Sequence, residues 1–186
     1  MTPIATPGQT VGPFFHLGLS YDRDSELVPP GSPAAVVLRG RVLDGDGHGV
    51  PDALVEIWQA RPDGTIAVEP GSLRRDGWTF TGFGRASTGP DGTYAFTTVA
   101  PGPTEPGRAA FLAVAVFARG LLNRLFTRAY LPGDTAALAA DPLLSALPEH
   151  ARRTLVAEAD GQGFVFDIRL RGPAETVFLR YPGQRP

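Results

Sequence analysis

The segment spanning residues 36–101 constrains the fold most, because it alternates β-rich runs with turn-forming sequences. Apolar and β-branched residues cluster at 36–43 and 54–58, and the stretch between them, DGDGHGVPD, holds three glycines and a proline. A second turn, GPDG at 89–92, precedes the run TYAFTTV, in which Tyr94, Phe96 and Thr98 share one face. These strands and turns predict the inner part of an all-β sandwich.

Composition indicates a folded, turn-rich chain rather than a disordered one. The 186 residues include 23 glycines and 19 prolines, roughly twice the average share, but 42% of residues are hydrophobic. Disordered chains lack that apolar content, so the glycines and prolines indicate tight turns. The formal net charge of -2 predicts no basic face for nucleic acid. The apolar run at 109–118 is far shorter than the about 20 residues of a membrane helix.

The chain has no cysteine, which excludes disulfides, thiolate metal sites and thiol nucleophiles. Its first residues, MTPIATPGQT, have neither the charged region nor the apolar core of a signal peptide. We therefore expect a cytoplasmic protein.

Two units follow from the order of the chain, an amino-terminal arm at 1–33 and a single β-sandwich domain at 34–186. The arm carries several large apolar residues that would be exposed if it stayed loose, namely Val11, Phe14, Phe15, Leu17 and Leu19. We therefore expect the arm to pack on its own domain or on a partner chain.

The remainder of the domain predicts more strands, one long loop and short helices. A loop at 61–81 is long enough to indicate a binding or functional segment. A strand at 109–117 is expected to be buried on both faces, and a shorter strand follows at 125–131. Short helices are expected near 134–153, with Pro142 and Pro148 in first turns. Closing strands are expected at 163–171 and 175–181.

The residues themselves show no catalytic set. His16, His48 and His150 lie far apart in the chain, and we interpret each as a surface or turn histidine. The GFGR sequence at 82–85 lacks the third glycine and the helix of a dinucleotide-binding loop, and no Gly-x-Ser-x-Gly sequence occurs.

One turn has a weak similarity to a calcium-binding loop. Asp44, Asp46 and Gly49 have suitable spacing, but Val55 stands at the twelfth position, where such a loop needs a glutamate. We interpret the segment as a turn without calcium.

Five segments, in this order, resemble the intradiol ring-cleavage dioxygenases, and more closely the α subunits of those members that contain α and β subunits. They are TPGQTVGPFF at 6–15, VLDGDGHGVPDALVEIWQA at 42–60, GFGRASTGPDGTYAFTTVAPG at 82–102, VFARGLLNRLFTRAYL at 116–131 and FDIRLRGPAETVFL at 166–179. The resemblance implies a transthyretin-like (prealbumin-like) β-sandwich with long loops.

The resemblance also implies that this chain binds no metal. Catalytic chains of the family hold Fe(III) with two tyrosines and a His-x-His pair. Phe111 and Ala113 occupy the positions of that pair, Thr104 stands near one tyrosine position, and the 61–81 loop has no tyrosine. Phenylalanine and alanine offer no donor atom to a hard cation. The resemblance thus implies that a β subunit carries the Fe(III), and that the isolated chain is inactive, with no catalytic residue of its own.

Four residues are implied to contribute to the partner's substrate cavity. Thr10, Gly12 and Pro13 match arm positions that approach the substrate, although Phe14 departs from the tyrosine often found next. Arg119, in the FARG sequence, matches an arginine that enters the cavity, where its guanidinium could bind a carboxylate through two hydrogen bonds. A plain ion pair with a surface carboxylate is the alternative for Arg119.

The activity implied for the complex is cleavage of protocatechuate (3,4-dihydroxybenzoate) by O2 to 3-carboxy-cis,cis-muconate, a step of aromatic catabolism in the β-ketoadipate pathway. Two alternatives stay open. One is a self-sufficient homomeric dioxygenase, for which four tyrosines exist but no His-x-His pair. The other is a non-enzymatic transthyretin-like binding module. The Phe-rich arm and the loop bearing Trp78 offer apolar surface to a partner, so we expect the chain alone to be poorly soluble or to self-associate.

Overall fold

Two β-sheets pack face to face in the computed structural model, which describes residues 7–69, 73 and 75–181. Residues 1–6 of the predicted arm, 70–72 and 74 of the long loop, and 182–186 of the predicted domain lie outside the described residues. The strands are β1 Ala35–Leu43, β2 Leu54–Gln59, β3 Phe83–Ser87, β4 Thr93–Val99, β5 Phe111–Phe117, β6 Leu125–Tyr130, β7 Glu158–Ala159, β8 Phe164–Val165 and β9 Ile168–Arg169. The predicted all-β sandwich is confirmed.

The pairing of the strands defines the order of each sheet. The first sheet has the order β4-β1-β8-β7, with β9 also paired to β1, and the second has the order β3-β2-β5-β6. In the second sheet β2 and β5 are antiparallel, with Leu54 opposite Phe117 and Gln59 opposite Leu112. The amino-terminal end of β5 therefore lies beside the end of β2.

The core lies between the sheets and follows the alternation of side chains along each strand. Tyr94, Phe96 and Thr98 of β4 are all buried, which confirms their predicted common face. Tyr94 and Phe96 meet apolar residues of β1, β2 and β5 in one cluster that includes Leu38, Val55, Ile57, Leu112 and Val114. Full burial of each such side chain contributes about 1.5–3 kcal/mol, so this layer supplies most of the stabilisation.

The end of the arm closes the gap between the two sheets at the β3 and β4 edges. Arg85 N donates to Asp24 O at 2.9 Å, while Thr97 N donates to Ser25 O at 3.0 Å. The side chain of Leu27 is buried in the core cluster. One short stretch of chain thus satisfies backbone groups on both exposed strand edges, which would otherwise remain unpaired.

A short helix in the arm, α1 Phe15–Leu19, was not predicted. Its sequence, FHLGL, contains a glycine and has no capping side chain, so local propensity does not account for it. Packing does, because the Phe15 ring lies 5.6 Å from the Phe117 ring at the end of β5. Tertiary contact therefore decides this element.

The predicted short helices after β6 are present as α2 Thr135–Ala140, α3 Pro142–Ser145 and α4 Glu149–Arg153. Asp141 caps α3 by accepting from Leu143 N and Leu144 N, and Pro142 occupies the first helical turn as predicted. Pro148 precedes α4 as its N-cap rather than lying within it. No helix among the described residues combines the length and apolar character needed to cross a membrane.

Two strand predictions were wrong in detail. Strand β5 is not buried on both faces, because Phe111, Ala113 and Phe117 are only half-buried on the outer face. The predicted strand at 175–181 is also absent, with a single bridge from Leu179 to Phe126. Thr176 N bonds to Arg169 O of the first sheet, so this segment crosses from one sheet to the other and pairs fully with neither.

Candidate functional site

The two positions at which the sequence predicts missing metal ligands lie side by side on the outer face of β5. Phe111 and Ala113 are half-buried there, while Leu112 between them points into the core and is buried. Residues two apart on a strand share a face, so this is where a His-x-His pair would present both imidazoles to one ion.

An arginine from the neighbouring strand occupies the space next to these two positions. The register places Arg128 of β6 opposite Ala113, and the guanidinium carbon lies 3.9 Å from the centroid of the Phe111 ring. Arg128 Nη1 also donates to the Tyr130 hydroxyl at 3.1 Å. The Tyr130 hydroxyl in turn donates to Asp141 Oδ1 at 3.1 Å. A stacked, hydrogen-bonded cation therefore fills this part of the surface.

These residues do not fit a ferric ion. Phe111 and Ala113 supply no donor atom, and the fixed positive charge of Arg128 opposes a second cation at close range. Tyr130 is the nearby phenol, but burial raises its pKa above the ordinary value, partly offset by Arg128. A phenol held in its protonated form is a poor source of the phenolate that iron requires.

The other tyrosines are engaged elsewhere in the fold. The Tyr94 hydroxyl donates to Phe166 O at 2.5 Å inside the core, and burial raises its pKa. Tyr21 accepts from Arg75 Nη2 at 3.0 Å under the arm. The Tyr181 ring packs edge-on against Phe126. Thr104, near the predicted position of a lost tyrosine, lies in an exposed bend.

Within the described residues, the carboxylate and imidazole groups close enough to share a cation are those of Asp44, Asp46 and His48. They lie on the turn between β1 and β2. Asp44 Oδ1 accepts from the backbone N–H groups of Asp46 and His48 at 2.9 and 2.8 Å. These bonds shape the turn, as an Asx turn does.

The structure brings Thr10 and Arg119 together at the other end of β5. Thr10 Oγ1 accepts a hydrogen bond of 2.7 Å from Gly120 N, immediately after Arg119. Gly120 has a φ of 89° and is the third residue of a tight turn, in which Leu121 N donates to Ala118 O at 3.2 Å. A glycine suits this left-handed position. The arm and the FARG sequence therefore form one local structure.

Arg119 is also held through its side chain. Its Nε lies 2.7 Å from Asp52 Oδ2, in an ion pair whose arginine side chain is 53% exposed and whose aspartate side chain is 14% exposed. The guanidinium is thus tied on one side and open to solvent on the other. The structure contains the ion pair that was the alternative explanation for Arg119, and the same geometry leaves the remaining donors able to bind a ligand.

Gly12 and Pro13 are exposed and lie just before α1, two and three residues after Thr10. Gly12 O accepts from Phe15 N at 3.1 Å, and a Cβ atom built on Gly12 would meet nothing within 4 Å. By contrast, a Cβ on Gly8 would meet Leu122 O at 3.0 Å. Packing within this chain therefore accounts for the small residue at position 8 and not for the one at position 12.

A cavity of about 460 Å³ separates the arm from the turn that follows β5, with Val11 and Phe15 on one side and Ala118 and Leu121 on the other. A wider groove of about 860 Å³ lies under Tyr21, Arg39 and Asp167. That groove contains none of the predicted site residues. Several of its polar groups are bound within the chain, for example Arg39 in an ion pair with Asp160.

A family model described as "Dioxygenase" matches residues 11–172. A solved intradiol ring-cleavage dioxygenase from Tetranychus urticae shares the fold, with a TM-score of 0.59 and 16% identity over 94% of this chain and 98% of that one. This chain belongs to the intradiol dioxygenase family.

Within the family, the chain is similar to both subunits of one enzyme. It is 41% identical to the protocatechuate 3,4-dioxygenase alpha chain of Burkholderia cepacia, over 94% of this chain and 96% of that one. It is 35% identical to the beta chain of the same organism, over 87% of this chain and 76% of that one. Intradiol dioxygenases are typically iron-dependent, and Phe111 and Ala113 on the outer face of β5 offer iron no donor atom.

Two contacts of this intradiol dioxygenase chain were not found from the sequence. The pairing of β5 with β6 brings Arg128 next to Phe111. Asp52 lies in the β1–β2 turn and forms an ion pair with Arg119. The sequence signal for Asp52 is faint, an aspartate at the end of a Gly-rich turn. Its φ of 56° marks it as a special turn position only once the structure is known.

Proposed function

We propose that this chain is the α subunit of a protocatechuate 3,4-dioxygenase. It binds no iron, and it completes the cavity of a β subunit of the same fold that carries Fe(III). The complex cleaves 3,4-dihydroxybenzoate between its two hydroxylated carbons, adding both atoms of O2 to give 3-carboxy-cis,cis-muconate. The observation that carries the proposal is the contact between Phe111 of β5 and Arg128 of β6, in a chain 41% identical to an alpha chain.

The partner must supply the metal because this chain has replaced metal ligands by packing. A half-buried Phe111 ring under a guanidinium is a stabilising arrangement, worth about 0.5–2 kcal/mol for the cation–π contact. A similar chain carrying the name of a beta chain exists in Burkholderia cepacia, which supports a companion of the same fold. The absence of cysteine also fits our proposal that the complex is cytoplasmic.

The part of this chain that enters the partner's cavity is the turn joining Thr10 and Arg119, with Gly12 and Pro13 beside it. The hydrogen bond from Gly120 N to Thr10 holds the arm against the turn. The open space at Gly12 lets a partner or substrate approach the backbone closely. The half-exposed guanidinium of Arg119 can bind the carboxylate of an anionic aromatic acid.

Exposed apolar side chains around this turn support a partner on the same surface. Phe14 is 75% exposed, and Leu17 and Leu122 are each 62% exposed. Exposed apolar residues that lie close together commonly mark protein–protein contacts. Trp78, in the separate loop at 61–81, is also almost fully exposed. We therefore expect the chain alone to self-associate in gel filtration, and to form a defined hetero-oligomer with a β subunit.

Co-expression with a candidate β chain tests this function. The expected result is co-purification of the two chains, with O2-dependent cleavage of 3,4-dihydroxybenzoate that neither chain shows alone. Cleavage by this chain alone would instead identify a homomeric dioxygenase. A stable monomer that does not co-purify with the β chain would indicate a non-enzymatic binding module. Either outcome would contradict the proposal.

A further inference from the structure

We propose that Asp52 is a positioning residue for Arg119, an inference that rests on the proposed function. Asp52 holds the Nε side of the guanidinium and directs its two terminal nitrogens toward the substrate carboxylate in the partner's cavity. The ion pair of 2.7 Å between Arg119 Nε and Asp52 Oδ2 is the observation that carries it. The Asp52 side chain is largely buried and the Arg119 side chain is half-exposed, so we take Asp52 as the anchor and Arg119 as the group that it positions.

Asp52 is a rigid anchor because the backbone on both sides of it is fixed to Thr88. Ala53 N donates to Thr88 Oγ1 at 2.9 Å, and Thr88 N donates to Ala53 O at 2.9 Å. Thr88 Oγ1 also donates to Val50 O at 2.8 Å. Ala53 and Thr88 are both buried. The carboxylate is therefore presented from a turn that cannot move without breaking buried hydrogen bonds.

Arg119, in contrast, stands at the tip of a turn, where its long side chain would sample many rotamers. Its backbone is fixed by the bond from Gly120 N to Thr10 Oγ1. Its side chain is fixed by Asp52. Ordering a side chain of this kind when a ligand binds weakens affinity, and an existing anchor removes part of that cost. Thr10 and Asp52 thus order the same residue from two directions.

The negative charge of Asp52 does not cancel the attraction of Arg119 for an anion. A substrate carboxylate bound to the terminal nitrogens would lie next to the guanidinium, and Asp52 would lie on the opposite side of the guanidinium. The distance from the substrate carboxylate to Asp52 would be about twice its distance to the guanidinium. Coulomb energy falls with the inverse of distance, so the repulsion is about half of the attraction. A guanidinium has separate faces for two carboxylates, which a lysine ammonium does not offer in a fixed plane.

The test is Asp52→Asn in the αβ complex. Asparagine tolerates the left-handed φ of this position and has nearly the same size, so the variant removes the charge with little change of shape. We expect KM for 3,4-dihydroxybenzoate to rise about three- to tenfold, with kcat changed by less than about twofold. The inhibition constant of catechol, which has no carboxylate, should not change. Asp46→Asn, on the same turn, is the matched control for loss of one negative charge.

A double-mutant cycle separates positioning from a general structural role. In an Arg119→Ala complex, Asp52→Asn should leave KM unchanged, because the residue through which Asp52 acts is gone. Equal effects of Asp52→Asn with and without Arg119 would overturn the proposal. So would a parallel loss of catechol binding.

Arg119→Lys provides a second variant if Asp52→Asn fails to assemble. A lysine ammonium lacks the planar set of donors that lets a guanidinium bind Asp52 and the substrate carboxylate together. KM should therefore rise at least as much as in Asp52→Asn, and an unchanged KM would overturn the proposal. Failure of the proposed function itself would look different. The wild-type complex would then lack ring cleavage before any variant is made.

Discussion

The two ends of strand β5 carry opposite kinds of surface. At its start, Phe111 is covered by the guanidinium of Arg128, which is itself bonded to Tyr130. Just beyond its end, Arg119 is tied to Asp52 but half-exposed, and Gly12 leaves open space nearby. One end is covered by the chain's own side chains, and the other leaves groups exposed that a partner or ligand can contact.

Under the proposed function, one end of β5 lacks a metal site and the other contributes to the partner's cavity. A metal site needs donor atoms held in a fixed set, and replacement by an apolar ring and an arginine removes it completely. A contribution to a neighbouring cavity needs only a rigid backbone and a few exposed groups, which a turn can supply. Under the proposed function, a chain without an iron site therefore still contributes to the enzyme.

The closed end can be tested by restoring the imidazole pair. With Phe111→His and Ala113→His together, Arg128 still opposes a cation, at about 3 kcal/mol per unit charge for 5 Å and an effective dielectric constant of 20. Ni²⁺ carries two charges, so we expect it to bind at least about 100-fold more tightly when Arg128→Gln is added to this double variant. Equilibrium dialysis measures it, with Arg153→Ala as the control substitution. Stoichiometric Fe³⁺ binding by the double variant alone would contradict the account of this end.

The open end can be tested by removing its cation. Arg119→Ala in the αβ complex should raise KM for 3,4-dihydroxybenzoate about ten- to hundredfold, since a hydrogen bond to a charged group contributes about 1.5–3 kcal/mol. Steady-state O2 uptake measures the change, and Arg153→Ala on α4 should leave KM unaltered. Unchanged KM and kcat in Arg119→Ala would remove Arg119 from the cavity.

A pair of glycines in the arm sharpens the comparison further, because neither has a neighbour within 4 Å of an added Cβ. Gly12→Ala should leave thermal unfolding of the chain unchanged and lower kcat/KM of the complex about tenfold, as a methyl group displaces whatever approaches that backbone. Gly18→Ala, in α1, should leave kcat/KM unchanged and raise stability slightly. Equal behaviour of the two variants would show that nothing approaches Gly12 closely.

The smallest expected effect concerns Tyr130 at the closed end. Its hydroxyl bridges Arg128 and Asp141, so Tyr130→Phe should cost about 1 kcal/mol, or about 2–4 °C in the unfolding midpoint of the complex at about pH 8.

The pH dependence of that effect has a definite sign. Burial raises the pKa of Tyr130 in the folded chain, whereas an unfolded tyrosine ionises near pH 10. Above about pH 10 the unfolded state loses this proton first, so the native state loses stability as pH rises. Tyr130→Phe should flatten that decline above about pH 10. An identical decline in Tyr130→Phe and in the wild-type complex would contradict the raised pKa.

Sequence reasoning succeeded where a local signal and the tertiary structure agree. The alternation in TYAFTTV and the glycine-rich turns predict β4 and the β1–β2 connection, and Pro142 marks the first turn of α3. It failed for α1, which depends on the Phe15–Phe117 contact, and for the segment 175–181, which divides its hydrogen bonds between two sheets.

The site combines residues assigned from the family resemblance with partners that only the structure reveals. Phe111 and Ala113 were assigned from the resemblance, by their spacing before FARG, and that assignment stays a prediction. Arg128 and Asp52 could not be found in this way, since each is placed by strand register or by a turn conformation that the sequence does not encode locally. Partners of a site residue are therefore the part that needed the structure.

The most direct test of the central claim is the iron content of this chain, purified alone and purified with its β subunit from iron-supplemented cells. The account predicts no iron in the chain alone and about one iron per αβ pair in the complex, retained when Phe111 or Arg128 is substituted. Iron bound to the isolated chain, together with ring cleavage, would contradict it.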